Sequence, residues 1–409
     1  MAIEPRAFRE RATSERGAIV IQTGVAILVL SAFAMFIVDY GALWVSRHQA
    51  QNAADAGALA GATSLAYDDF DDRDDDGPAK VAAQQFAQAN AVWGQAPDVK
   101  IDTDVRFYNN APGEFPASCV SDDCIRVDVY RNQTRNNPLP TFLGWMVGVS
   151  KQGVRATAIA RAAAANGTDC LKPWAVLDKW ADSSGAWTPA SNFNPLDGDV
   201  YTPPAGKSTG TSYTLEADLG RKLTLKVGDP SNAKETFGAG WFAPIDLGGT
   251  GGNVYRDNIS GCAAGTYKID DMLSVENGNM IGPTDQGVKA LLALDKTAKW
   301  DDEEDKVVNS CIGPPYTCTK PGLKVSPRIV ALPVVHTQMA WDAVHSDDGK
   351  GQGAGNMTVK VVAILGFFVE GMSGNDVVGY LATKPDLLLS NGGSVSPSAA
   401  FLKTVTLVR

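Results

Sequence analysis

The stretch "GAIVIQTGVAILVLSAFAMFIV", Gly17 to Val38, contains no charged residue and only Gln22, Thr23 and Ser31 as mild polar notes. As an α-helix these 22 residues reach about 33 Å, enough to cross a hydrocarbon layer about 30 Å thick. Tyr40 and Trp44 follow at the exit, where amphipathic rings favour the headgroup region. The run reads as one membrane span. It exceeds the apolar core of a cleaved secretory signal, about 7–15 residues, and helix-compatible sequence continues beyond it. A soluble core helix rarely offers so long an uninterrupted apolar surface. Arg6, Arg9, Arg11 and Arg16 precede the run and only Arg47 lies close after it, so the positive-inside rule puts the N-terminus in the cytoplasm. Residues 1–16 then form a cytoplasmic leader, 17–38 the transmembrane helix and 39–66 its outward continuation, with the rest of the chain extracytoplasmic.

Directly beyond the span comes "RHQAQNAADAGALAGA", Arg47 to Ala62, in which Ala50, Ala53, Ala54, Gly57, Ala58 and Gly61 fall on one helical face. A mid-helix glycine costs about 1 kcal/mol relative to alanine, so Gly57 and Gly61 are better explained by close backbone approach than by helix propensity. Two surfaces compete for this face. One is a partner helix, from a second copy or another protein; the other is the chain's own outward domain, where small residues also permit close docking. Gln51, Asn52 and Asp55 line the opposite, wet face.

The outward part predicts an α+β fold in two pieces, a small α+β domain over 67–165 and a β-rich domain over 166–409. In the first, "AKVAAQQFAQANAVW" has helical spacing, whereas Val99 to Phe107, Ile125 to Val129 and "VRATAIARA" from Val154 alternate as strands. "TFLGWMVGV" is too short to span and reads as a buried helix or turn. In the second, "KLTLKV", "RIVALPVV", "VKVVAILGFFVE" and "KTVTLVR" are strand candidates between turn-rich segments, and "LLALDKTAKWDDEEDK" is a helix candidate.

The six cysteines all lie beyond the span, which fits disulfides in an oxidising compartment. Local loops would join Cys119 to Cys124 and Cys311 to Cys318 and leave Cys170 for Cys262, among fifteen possible connectivities. A zinc site fits less well, because neither close pair has two-residue spacing and His336 and His345 miss the usual histidine register. "DDFDDRDDDGPA", from Asp68, holds Asp72, Asp74 and Asp76 ahead of Gly77, the front half of a calcium loop. Its twelfth position is Ala83 instead of a bidentate glutamate, so calcium competes with a solvated acidic turn.

Net charge of -10 and a pI near 4.9 argue against a nucleic-acid surface. "GGTGGN", Gly248 to Asn253, lacks a phosphate-loop lysine and a strand-to-helix setting, and reads as a plain loop. No nucleophile elbow or zinc-protease helix motif occurs. His336 reads as a strand-end residue and His345 as an exposed one. A non-enzymatic protein without a cofactor is expected.

The continuous stretch "RGAIVIQTGVAILVLSAFAMFIVDYGALWVSRHQAQNAADAGALAGA", from Arg16, resembles the N-terminal signature of the TadE/TadG-like proteins of the Flp, or tight-adherence, pilus system. "NPLPTFLGWMVGV", "CLKPWAVLDKW", "SPRIVALPVV" and "VKVVAILGFFVEG" resemble the family more loosely. The resemblance implies a bacterial inner-membrane protein whose partners are lipid and other pilus-system proteins. In processed members a leader peptidase cuts after the glycine, here Gly17 ahead of Ala18, and a glutamate five residues on positions the subunit; this chain has Gln22 there. Glutamine cannot neutralise a cationic amino terminus in lipid, which favours a permanently anchored, TadG-like accessory protein. Two alternatives are a cleaved minor pilin and a tethered glycan-binding or hydrolytic exoprotein. The metal-binding D-x-S-x-S loop of some TadG-like proteins is broken here, since "DSSGA" ends on Ala186.

Overall fold

The computed structural model describes residues 15–67, 77–119, 123–204, 212–229, 232, 234–276, 278, 280–303, 305–310, 326–345, 357–386 and 401–408. The fold is α+β, with one long N-terminal helix, a few short ones and a β-rich remainder. In chain order, helices α1 (Glu15–Tyr67) and α2 (Pro78–Ala89) precede strands β1 (Val105–Phe107), β2 (Cys124–Arg131), β3 (Val154–Ala164), β4 (Trp174–Leu177), β5 (Lys222–Val227) and β6 (Trp241–Pro244). Then come α3 (Gly252–Ser260), β7 (Met272–Ser274), α4 (Ile281–Leu294), β8 (Ile329–Val335), α5 (Thr337–Val344), β9 (Thr358–Ser373), β10 (Asp376–Ala382), β11 (Lys384–Pro385) and β12 (Leu402–Val408).

The chain divides into two compact units. The first comprises the chain up to Gly57 with Gln84–Val105 and Val127–Ala158; the second comprises Ala58–Ala83, Arg106–Arg126 and Ile159–Arg409. This division does not follow the linear order of a domain over 67–165 and another over 166–409, because α1, β2 and β3 each run through both units.

In the first unit, Gln84 and Gln88 of α2 donate to the Val99 carbonyl at 2.8 and 3.1 Å. Buried Arg131 donates to the carbonyls of Val92 at 2.9 Å and Pro138 at 3.3 Å, so its charge is held against backbone dipoles. The strand expected over Val99 to Phe107 is confined to Val105–Phe107. Asp104 explains the difference: its carboxylate accepts the Lys100 N–H and its own N–H returns to the Lys100 carbonyl, both at 2.8 Å, closing a turn where the alternation suggested a strand.

The second unit contains a closed barrel. Six strands pair in the order β9-β8-β4-β6-β5-β10, and β10 returns to β9; β7 adds to the start of β9. Two pairings, β4 with β8 and β5 with β6, are parallel and the others antiparallel. Closure leaves these strands no free edge, which protects apolar backbone from pairing with other chains. Alternate residues enter different cores. Trp174, Val176, Leu332 and Phe367 join a cluster with Tyr255, Val288 and Leu291 of the helices; Ala175, Leu177, Ala331 and Val335 join another with Trp180, Phe237 and Ala340. Burial on both faces explains why "IVALPVV" is an apolar run without alternation. Pro333, which has no N–H to offer, lies one residue before a register shift between Val334 and Val335.

In this unit β12 pairs antiparallel with Ile159–Ala164 of β3, so this strand returns to one far earlier in the sequence. The helix candidate "LLALDKTAKWDDEEDK" is only partly helical: α4 stops at Leu294 and Lys299–Asp301 pairs with Lys306–Val308 as a hairpin. Tertiary contacts override the local pattern here. Buried Arg328 takes the carbonyls of Asp295 and Ala298 at 2.9 and 2.8 Å, acceptors that a continuing helix would need, and Trp300 stacks on Tyr380 at 5.1 Å.

Candidate membrane and assembly interface

Helix α1 is unbroken over 53 residues, about 80 Å of rise. It passes from an uncovered apolar segment to a self-packed one. From Gly17 to Val38 nearly every side chain is exposed, including Leu28 at 72% and Phe33 at 62%. The most apolar 18 residues have a mean hydropathy of 2.3 and none of them is buried, so the helix is long and apolar enough to cross a membrane. Gly17, Ala18 and Gln22 all lie inside this exposed helical segment.

The small-residue face is covered by the chain itself. Ala50, Ala53, Ala54 and Ala58 have no exposed surface, and Gly57 and Gly61 are buried. In the first unit, Gln49 of the helix accepts the Trp93 N–H at 2.8 Å and Gln51 donates to the Thr157 carbonyl at 3.1 Å. In the second, a Cβ at Gly61 would stand 2.6 Å from Ile125 Cδ1 and 3.1 Å from both the Ala79 carbonyl oxygen and Ala83 Cβ. Glycine is required there by close approach to α2 and β2. Of the two surfaces that competed for this face, the chain's own fold occupies it. Gln51 and Asn52 remain exposed and Asp55 half-buried.

Where the apolar segment ends, Asp39 receives a loop from far along the chain. Its carboxylate accepts the backbone N–H of Phe142 at 2.5 Å and of Leu143 at 3.1 Å. "TFLGWMVGV" is therefore not the buried element expected from its composition. A 3₁₀ turn at Gly144–Val147 holds Phe142, Trp145 and Val149 at the surface, 46%, 63% and 51% exposed. No local pattern pairs Asp39 with Phe142 and Leu143, because the contact joins segments 103 or more residues apart.

Residues 17–64 match the family model Tad, Flp pilus-assembly TadE/G-like. The match covers the uncovered apolar segment and the small-residue face, and ends inside the helix that Tyr67 closes. The chain thus carries a TadE/G-like segment at its N-terminal helix. No curated protein and no solved structure matches the chain.

Both expected disulfides within the described residues are present, Cys119–Cys124 and Cys170–Cys262. Cys311 and Cys318 lie outside the described residues, as do Asp72, Asp74 and Asp76 of the acidic stretch. Among the described residues no group of three or more histidine, cysteine, aspartate or glutamate side chains is placed to hold a metal ion. The "GGTGGN" loop does join β6 to α3, a strand-to-helix setting not evident from sequence. Its amides are taken internally: Gly249 N–H by Asp246 at 2.9 Å and Gly251 N–H by Glu276 at 3.1 Å. Carboxylates thus sit where a phosphate would need to lie. His336 follows β8 directly and caps α5 through Nδ1, accepting the Met339 N–H at 3.2 Å. His345 is half-buried, stacked on Trp341 at 3.6 Å, because the turn after α5 folds it back onto its own helix.

A buried polar cluster closes one end of β4. Asp178 has no exposed surface and accepts from Ser212 Oγ at 2.9 Å, Tyr201 Oη at 3.1 Å and the Lys179 N–H at 2.9 Å. Burial pushes its carboxyl up to about 6, although these bonds and the Lys179 charge oppose the rise. Between the ordinary value of 3.8 and about 6 the folded chain binds more protons at this site than the unfolded one. Stability from this group is therefore complete at low pH and lost as pH rises through the folded pKa, by about 3 kcal/mol in all. Asp178→Asn is expected to remove this dependence. Denaturant unfolding at pH 4 and pH 7 of both proteins checks it; an equal pH response would show that Asp178 titrates normally.

Proposed function

We propose that this chain is a permanently anchored, non-enzymatic accessory protein of a Flp/Tad-type pilus assembly in the bacterial inner membrane, with its N-terminus cytoplasmic and its folded part on the outer side. The observation that carries this reading is the division of α1. Its apolar segment is left uncovered, whereas its small-residue face is already filled by the chain's own residues. A pilin packs its N-terminal helix among those of its neighbours, and a face committed within one chain is not free for that use. The rigid continuation from span to fold supports a scaffold held at a set height above the membrane, where it would contact other pilus-system membrane proteins. Gln22 in place of the expected glutamate supports the same choice.

The test is the mature N-terminus of the protein from piliated cells, read by mass spectrometry on separated membrane and sheared-filament fractions. The expected result is an unprocessed leader upstream of Gly17 and recovery in the membrane fraction alone. A chain beginning at Ala18 and present in filaments would instead identify a cleaved minor pilin.

A further inference from the structure

We propose that the loop Thr141–Val149 is a second membrane contact, seated in the interfacial layer of the same phospholipid bilayer that α1 crosses. The inference rests on the reading of Gly17–Val38 as a membrane span. Asp39 is the first residue after that span, so whatever its carboxylate holds lies at the depth where the helix leaves the hydrocarbon. It holds the backbone of Phe142 and Leu143, 103 and 104 residues away in the chain. The loop is built to close on this point. A Cβ at Gly144 would stand 3.1 Å from Asp39 Oδ2 and 2.9 Å from the Val149 carbonyl oxygen, so only glycine permits the approach. Thr141 Oγ1 donates to the Val149 carbonyl at 2.7 Å, and Gly148 turns the chain with φ of +86°.

What this construction presents is apolar. Phe142, Trp145 and Val149 are exposed, as are the helix's own rim residues Tyr40 and Trp44, each 57% exposed. The Trp145 indole N–H is satisfied by the Phe142 carbonyl at 3.0 Å, so the ring can leave water without stranding its donor. Phe142 is backed by the edge of Trp93 at 5.7 Å, which fixes the direction in which it projects. Exposed Lys151 follows the loop, suited to a lipid phosphate. A single helix leaves its folded part free to tilt and rotate about the exit point; a second, aromatic contact at the same level removes that freedom. The lipid occupant is favoured over a protein because Asp39, which holds the loop backbone, is the first residue beyond the span, so the loop's aromatic side chains lie at headgroup level.

The test uses the full chain in nanodiscs of phosphatidylcholine and phosphatidylglycerol, labelled without reductant by an environment-sensitive fluorophore at Trp145→Cys, with Val149→Cys as a second loop position and Leu30→Cys as a reference inside the span. Lipids carrying a doxyl quencher at a shallow or a deep acyl position are compared. The expected result is that both loop positions lose most of their emission to the shallow quencher and little to the deep one, whereas Leu30→Cys responds to the deep one. Adding Asp39→Ala should abolish the shallow quenching at the loop without changing the reference. If the reference is quenched and neither loop position responds, the loop proposal is overturned while the span stands. If the reference also fails to respond, the span reading falls and the proposal with it. Protection of the loop only after addition of membrane proteins from piliated cells would overturn the lipid assignment in favour of a protein partner.

Discussion

Replacing Cys170 and Cys262 together by serine is expected to destabilise the second unit by about 4–5 kcal/mol. The two cysteines are 92 residues apart, and the entropy that a cross-link removes from an unfolded chain grows with the loop it closes. The same relation assigns only about 2 kcal/mol to the loop closed by Cys119 and Cys124, whose separation is 5. The long cross-link ties the approach to β4 to Cys262, two residues beyond the end of α3. Lys172 reinforces the junction, donating to the Asn258 carbonyl at 3.3 Å and to that of Gly261. Burial lowers its ammonium pKa to about 8 from the ordinary 10.5, so between these values the unfolded chain binds more protons and this group adds stability as pH rises. Cys262 is exposed and Cys170 half-buried, so serine adds little desolvation cost and the measured loss reports the cross-link. Guanidinium unfolding of the full chain in detergent, with the other cysteines unchanged, checks the figure. A loss below about 2 kcal/mol would mean that the unfolded segment between the two cysteines is already constrained.

Gly61→Leu should cost about 3 kcal/mol or more and leave much of the protein unfolded or degraded in cells. The first atom of the new side chain would already press on Ile125 Cδ1 at 2.6 Å. That methyl can rotate aside, but the Ala79 carbonyl at 3.1 Å belongs to the backbone of α2 and cannot. Gly61→Ala is a milder case, since the gain in helix propensity of about 1 kcal/mol offsets part of the crowding. Gly41 provides the contrast: nothing lies within 4 Å of its Cβ position, so Gly41→Ala should be neutral or slightly stabilising. Protease resistance and thermal unfolding separate the three variants. If Gly61→Leu folds as stably as the parent but loses a partner, the small-residue face serves association after all.

Much of the fold was legible because burial leaves a period in the sequence. The uncharged run from Gly17, the small-residue spacing from Ala50 to Gly61 and the strands β2, β3, β5, β8, β9 and β12 were each read from local pattern. Spacing suggested Cys119 with Cys124 and Cys170 with Cys262, both present, but left them among fifteen possible connectivities. Less legible were the segments whose conformation is imposed by a distant partner. Residues 295–303 leave the helical pattern because Arg328 claims the Asp295 and Ala298 carbonyls and Tyr380 stacks on Trp300. The composition of Thr141–Val149 implied burial, yet Phe142, Trp145 and Val149 are presented outward around a backbone fixed by Asp39.

The sequence by itself determined that α1 is a helix with a span-length apolar segment and a small-residue face, since length, absence of charge and helical period are properties of adjacent residues. Only the tertiary structure decided what covers that face, that six strands close into a barrel, and that a loop 103 residues away docks at the helix exit. Periodicity records that a surface is to be buried or brought close, but not against what. The covering atoms belong to other segments, and the choice among them depends on packing and hydrogen-bond geometry that exists only once the chain has folded.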